Sequence, residues 1–156
     1  MKKPILCLDF DGVIHSYTSG WKGAAEIPDP PVPGALKFLV TALDHFDVHI
    51  FSSRSHQWGG KRAMKRYLRE HLTAFASTYE TTPDWLLKHI NAFADPWPNE
   101  VGFAIDQIIG TIKWPTEKPP AMVTLDDRAL TFTGVWPAIS DLLAFQPWNK
   151  RGGNGR

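Results

Sequence analysis

The sequence predicts an α/β fold with a largely parallel central sheet. Short apolar runs at 5–8, 48–51 and 122–125 lack the alternation of a half-exposed strand, so they read as strands buried on both faces. Segments with helical spacing lie between them, and strands that alternate with helices are joined by parallel crossovers. Each run also ends in a polar cluster: Asp9 and Asp11, Ser52 and Ser53, Asp126 and Asp127. Ligands of open α/β sheets bind outside the carboxyl ends of the strands, so this fold would gather the three clusters.

The first run, Ile5 to Leu8, ends at Asp9, and Gly12 permits the tight backbone just beyond it. Residues 15–33 are polar and proline-rich. Pro28, Pro30, Pro31 and Pro33 exclude a helix interior, which predicts a long loop or flap, and loops of this length in compact domains are usually functional. Residues 34–46 carry Leu36, Leu39, Val40 and Leu43 at helical spacing. Met64, Tyr67, Leu68, His71, Leu72 and Phe75 mark the buried side of a second helix at 59–75. Thr82-Pro83-Asp84 is a cap followed by a proline, a helix start, and Trp85, Leu86, Ile90 and Phe93 continue that helix until residues 95–99 break it. The stretch 101–112 fits either helix or strand, and we place a strand at 108–114. Residues 115–120 form a loop, 130–133 a small edge strand, and Pro137 starts a last helix holding Ile139, Leu142 and Leu143.

A chain of 156 residues fits one domain, and 43% hydrophobic residues are enough for a core, which argues against global disorder. We assign residues 1–148 to that domain and expect the glycine-rich, basic 149–156 to be a disordered tail. Net charge is +1, so no whole-protein field points to nucleic acid or membrane. Asp9 and Asp11 interrupt the first apolar run too early for a signal peptide, and no segment is apolar for long enough to span a bilayer. The lone cysteine, Cys7, lies inside an apolar run. It excludes an internal disulfide and suits a reducing cytoplasm.

Several carboxylates at one crevice repel one another and are tolerable only when protonated or bound to a cation. All-oxygen ligands, with few carboxylates, favour Mg²⁺. The six histidines show no ligand spacing and no cysteine partner, so zinc is not expected. Such a site suits phosphoryl transfer, which needs in-line attack, charge neutralisation and a proton source. Asp9 could attack phosphorus. Asp11 could protonate the leaving oxygen and later deprotonate water, a role that calls for a raised pKa. A hydroxyl such as that of Ser52 could hold the phosphoryl oxygens, and a lysine could neutralise the transferring group.

Asp9-Phe10-Asp11-Gly12-Val13 resembles motif I of the haloacid dehalogenase (HAD) superfamily, and Phe51-Ser52-Ser53 resembles motif II. Lys118-Pro119-Pro120-Ala121 resembles the motif III lysine region, and Thr124-Leu125-Asp126-Asp127-Arg128 the acidic motif IV. The resemblance implies a single Rossmann-like, three-layer domain with little or no cap, and a phosphatase working through an aspartyl-phosphate. It implies Mg²⁺ held by Asp9, the Asp11 backbone carbonyl and Asp126 or Asp127. It makes Asp9 the nucleophile, Asp11 the general acid/base, Ser52 the phosphate-binding hydroxyl and Lys118 the stabilising cation, with Lys113 a rival. Gly12, Ser53 and Arg54 would contact substrate; Arg54 could equally salt-bridge nearby acids. The substrate would be a small phosphomonoester or a phosphorylated nucleic-acid end.

Two surface features bear on that choice. Lys61, Lys65 and Arg69 recur one turn apart with Arg62 and Arg66 beside them, either a track for a nucleic-acid backbone or an ordinary solvated helix face. Trp21 and Trp58, in loops beside motifs I and II, could stack on a base or cover the core edge. The alternative to a phosphatase is a non-catalytic module that binds nucleic acid or protein through the same features.

Overall fold

The structure is a computed structural model that describes residues 1–93 and 100–151. Its three strands, β1 (Ile5–Leu8), β2 (Asp47–Ile50) and β3 (Val123–Leu125), form a parallel sheet in the order β2-β1-β3. Register pairs Leu6 with Val48 and Leu8 with Ile50, so these four side chains share a face. They join the buried sides of α1 (Ala35–Ala42), α2 (Gly60–Phe75), α3 (Asp84–Phe93) and α4 (Val101–Gly110) in one core. Cys7 is buried and unpaired, and burial pushes its thiol pKa up. None of the described helices is long and apolar enough to cross a membrane.

The main departure from expectation is α4. Val101, Ala104, Ile105, Ile108 and Ile109 are its buried residues, spaced at the helical period. Ile108 and Ile109, expected in a strand at 108–114, are β-branched and suit one, but tertiary burial of one helical stripe outweighs that local preference. Only Lys113 keeps strand character. It bridges His49 in parallel, with its N–H on the Val48 carbonyl and its carbonyl accepting from Ile50 N–H. The first helix ends earlier than expected, at Ala42, followed by tight turns to Phe46. On α2, Phe75 is 44% exposed rather than buried and meets Trp85 edge-on at 5.4 Å. The expected break at 95–99 lies outside the described residues.

The flap closes at its base. His15 bridges Pro31, Ser16 N–H donates to the Pro30 carbonyl at 3.0 Å, and Val32 N–H to the Ile14 carbonyl at 2.8 Å. The Tyr67 hydroxyl donates to the Asp29 carbonyl at 2.9 Å and fastens the flap to α2.

No ladder joins residues 130–133 to β3 among the described residues. Arg128 N–H donates to Asp126 Oδ1 at 2.8 Å, and this local turn takes the chain off the sheet directly after β3. The last helix, α5 (Ile139–Leu143), is short and buries none of its residues. Asn149, expected in the loose tail, donates to the Ser16 carbonyl, and its neighbour Trp148 Nε1–H to the Gly12 carbonyl at 2.7 Å. Residues 152–156 lie outside the described part.

Gly60 shows how tightly α2 seats on the loop before it. A Cβ there would collide with the Arg54 carbonyl oxygen, a backbone atom that cannot swing away. Gly60→Ala should therefore lower stability by about 1–3 kcal/mol and the melting temperature by several degrees. An unchanged thermal melt would show that this contact yields.

Candidate active site

Two backbone hydrogen bonds align the strand ends. Asp9 N–H donates to the Leu125 carbonyl at 2.9 Å, and Phe51 N–H to the Leu8 carbonyl at 3.0 Å. The residues that follow each strand, Asp9, Ser52, Asp126 and Asp127, are thereby gathered at one end of the sheet. Asp9, Asp11, Ser52, Ser53, Asp126 and Asp127 line a hollow of about 270 Å³, together with Tyr17 and Arg128.

Within it, carboxylate oxygens of Asp9, Asp126 and Asp127 lie within 4.8 Å of one another. Both oxygens of Asp127 are buried without a hydrogen-bond donor among the described residues. Its carboxyl neighbours that of Asp9, so the two can share a proton. Arg128 Nε stands 3.9 Å from Asp127, too far for a hydrogen bond. Burial first, then the charges of Asp126, Asp127 and Asp11, push the Asp9 pKa up to about 8, against the Phe10 N–H bonded to its carboxyl. Burial likewise raises Asp127. Gly12 makes this packing possible. Its φ of +83° is costly for other residues, and a Cβ there would collide with the Asp127 carboxylate.

Asp11 is the opposite case, and here the sequence-based expectation is corrected. A general acid needs a raised pKa, yet hydrogen bonds from His15 and Arg54 outweigh burial and hold Asp11 below the usual carboxylate range. Arg54 Nε donates to Asp11 Oδ2 at 2.9 Å and Nη2 to Oδ1 at 3.1 Å. His15 Nδ1 lies 2.8 Å from Oδ1. Asp29 N–H donates to His15 Nε2 at 3.1 Å, so that nitrogen accepts and the proton sits on Nδ1, facing Asp11. The Asp11 side chain thus stands outside the three-carboxylate cluster.

Ser52 is buried as an N-cap. Its Oγ accepts from Arg54 N–H at 3.2 Å, and its N–H donates to Ser55 Oγ at 3.0 Å. Ser53, next to it, is exposed in the hollow. Arg54, a candidate for substrate contact, is fully buried and ion-paired. Its Nη1 donates to the carbonyls of Gly23, Ala24 and Glu26, so it holds the flap. Lys113 opens at the other end of the strands, beside Lys2, Lys3 and Asp47. Lys118 is exposed and does not line the hollow, although its charge acts on the Cys7 thiol. The cation that does line it is Arg128, which also lies 6.0 Å from the Tyr17 ring.

Sequence reasoning missed Tyr17, His15 and Asp29. The signal for Tyr17 is weak: its φ of +58°, uncommon for a non-glycine residue, shows only in three dimensions. His15 and Asp29 meet by closure of the flap, which no local pattern announces. Compared with protein-family models, curated proteins and solved structures, the chain matches none.

Two expectations follow. In the unfolded chain Asp9 titrates near pH 3.9, roughly. The folded protein holds that proton up to about 8, so without metal it loses stability as pH rises across this window. Metal-free protein should melt at a lower temperature at about pH 9 than at about pH 5, and Asp9→Asn should remove most of the difference. A flat wild-type profile would contradict the buried carboxyl. Arg54→Met should cost about 3–5 kcal/mol, since it leaves Asp11 buried without its counter-charge and with only the His15 hydrogen bond; the denaturant midpoint reads this directly.

Proposed function

We propose that this chain is a Mg²⁺-dependent phosphomonoester hydrolase of the HAD type, a Rossmann-like three-layer domain that works through an aspartyl-phosphate on Asp9. The observation that carries the reading is the convergence of Asp9, Asp126 and Asp127, with both Asp127 oxygens buried and undonated. Such a set needs protons or a cation, and its all-oxygen chemistry fits a hard divalent ion. Asp9, Asp126 and Asp127 would hold it by their side chains, and Asp11 by its backbone carbonyl. When bound, Mg²⁺ supplies charge neutralisation for the carboxylates and the phosphoryl group.

In this mechanism an Asp9 carboxylate oxygen attacks phosphorus, the ester P–O bond breaks, and the leaving oxygen takes a proton. Water then attacks the phosphoryl group, the Asp9–phosphorus bond breaks, and inorganic phosphate leaves. Asp11 is ionised as it stands and so is ready as the base for that water. To serve as the acid it must first take a proton from solvent, since His15, with Nε2 accepting from Asp29 N–H, has no second proton to keep and only holds Oδ1 through Nδ1–H. Ser53 and Arg128, with the buried Ser52 behind them, hold phosphoryl oxygens. Lys118 must swing inward from its exposed loop to take part. A cytoplasmic setting fits the unpaired, buried Cys7.

Two observations favour the alternative of a non-catalytic binding module: Lys118 does not line the hollow, and Asp11 is held in an ion pair. A phosphatase assay decides. Hydrolysis of an aryl phosphate should need Mg²⁺ and stop with EDTA. Asp9→Asn should fall to the uncatalysed background, and Asp11→Asn should lose about 10²–10⁴-fold in kcat. Turnover that persists in Asp9→Asn would exclude the covalent route, and no turnover in the wild type would leave the binding module.

A further inference from the structure

α2 divides into a buried apolar side and a basic side. Its five cations are Lys61, Arg62, Lys65, Arg66 and Arg69, against one carboxylate, Glu70. Only Arg69 is ion-paired among the described residues, to Asp106 at 2.7 Å. Two hollows run along this side. One, of about 360 Å³, is lined by Trp58, Arg62 and Arg66 together with Ala25 of the flap. The other, of about 320 Å³, is lined by Lys65, Arg66, Arg69 and Trp114, with the Lys65 ammonium 5.6 Å from the Trp114 ring centre. Arg66 lines both, so the two hollows adjoin along α2, and the one at the flap, where Arg62 and Arg66 face no carboxylate among the described residues, is the basic groove. At its flap end Trp58 is 96% exposed, a degree at odds with a role in covering the core.

The groove reaches the candidate active site through one residue. Arg54 binds Asp11, which lines the acidic hollow, through Nε and Nη2. Through Nη1 it binds the Gly23, Ala24 and Glu26 carbonyls that flank Ala25, which lines the Trp58 hollow. Arg54 therefore ties the flap turn at 23–26, at the edge of the Trp58 hollow, to Asp11 in the acidic one.

We propose that the Trp58–Arg62–Arg66 groove binds a single-stranded nucleic acid, Trp58 stacking on a base and the arginines on backbone phosphates, with a terminal phosphomonoester directed to Asp9. This deepens the phosphatase reading and rests on it for the last step. Unpaired cations one helical turn apart suit a chain of phosphates, and an exposed indole beside them suits a base, the usual pairing in single-strand grooves. A membrane surface fits less well, because the apolar side of α2 is already spent on the core.

The test separates docking from chemistry. Anisotropy of a short labelled oligothymidylate without terminal phosphate, measured on the full chain in EDTA, reads the groove alone. Wild type should bind it. Trp58→Ala should weaken binding roughly five- to a hundredfold. Arg62→Gln with Arg66→Gln should lower the slope of log affinity against log salt by about 1.4. Both variants should hydrolyse the aryl phosphate like wild type, while their KM for an end-phosphorylated oligonucleotide rises. Wild type that fails to bind, variants that bind the strand as wild type does, or an unchanged KM would each overturn the proposal. If the strand binds as expected but the aryl phosphate is not hydrolysed, the groove stands and the catalytic reading falls.

Discussion

A guanidinium keeps its charge in proteins and carries five N–H donors, so taking one wholly out of water is costly unless those donors find partners. Arg54 is fully buried, and its partners come from two places far apart in sequence. The Asp11 carboxylate takes Nε and Nη2, and three flap carbonyls take Nη1. One side chain therefore joins the turn after β1, the flap and the loop after β2. Gly60 follows from the same requirement. The backbone carrying Arg54 must lie against the start of α2, and no side chain fits between them.

The Arg54–Asp11 pair also sorts the acidic residues. Asp9 and Asp11 are two positions apart on one turn, yet their carboxyls shift in opposite directions. Asp11 is given His15 and Arg54, and stays ionised. Asp9 is given Asp126 and Asp127, with only its neighbour's N–H to offset them. Protein charge is thus spent on the carboxylate outside the cluster and withheld from those within it. A divalent cation is the one common partner that would reverse this shift at neutral pH, because it stabilises all three ionised carboxyls at once.

The run at 5–8 was legible because a parallel central strand leaves a continuous apolar signature, and the polar residues after each run followed from where such strands end. β2, with Asp47 and His49 half-buried, and β3, with Val123 and Leu125 40% exposed, are not the strands buried on both faces that their runs predict. The convergence of Asp9, Asp126 and Asp127 was legible from where the strands end. α4 was not, although its apolar residues have helical spacing: a short run rich in isoleucine satisfies the strand preference equally well, and only packing decides. The place of Arg54 was hidden by distance, since its main partner is 43 residues away. Lys118 precedes β3, and a position in sequence does not specify where a long side chain on an exposed loop will point.

A net charge of +1 conceals two opposed fields, an acidic hollow at the strand ends and a basic groove along α2. They impose different demands on a polyanion. Backbone phosphates on Arg62 and Arg66 need no metal, and their attraction weakens with salt alone. A terminal phosphate entering the hollow meets three carboxylates, and like charges at close range oppose it until a cation or protons neutralise them. If the groove takes a strand, docking and entry of the phosphate end would therefore be separable: the first would depend on ionic strength, the second also on divalent metal. On the proposed reading, the groove would hold a strand before the metal arrives, and the metal would be the condition for bringing the strand's end to Asp9.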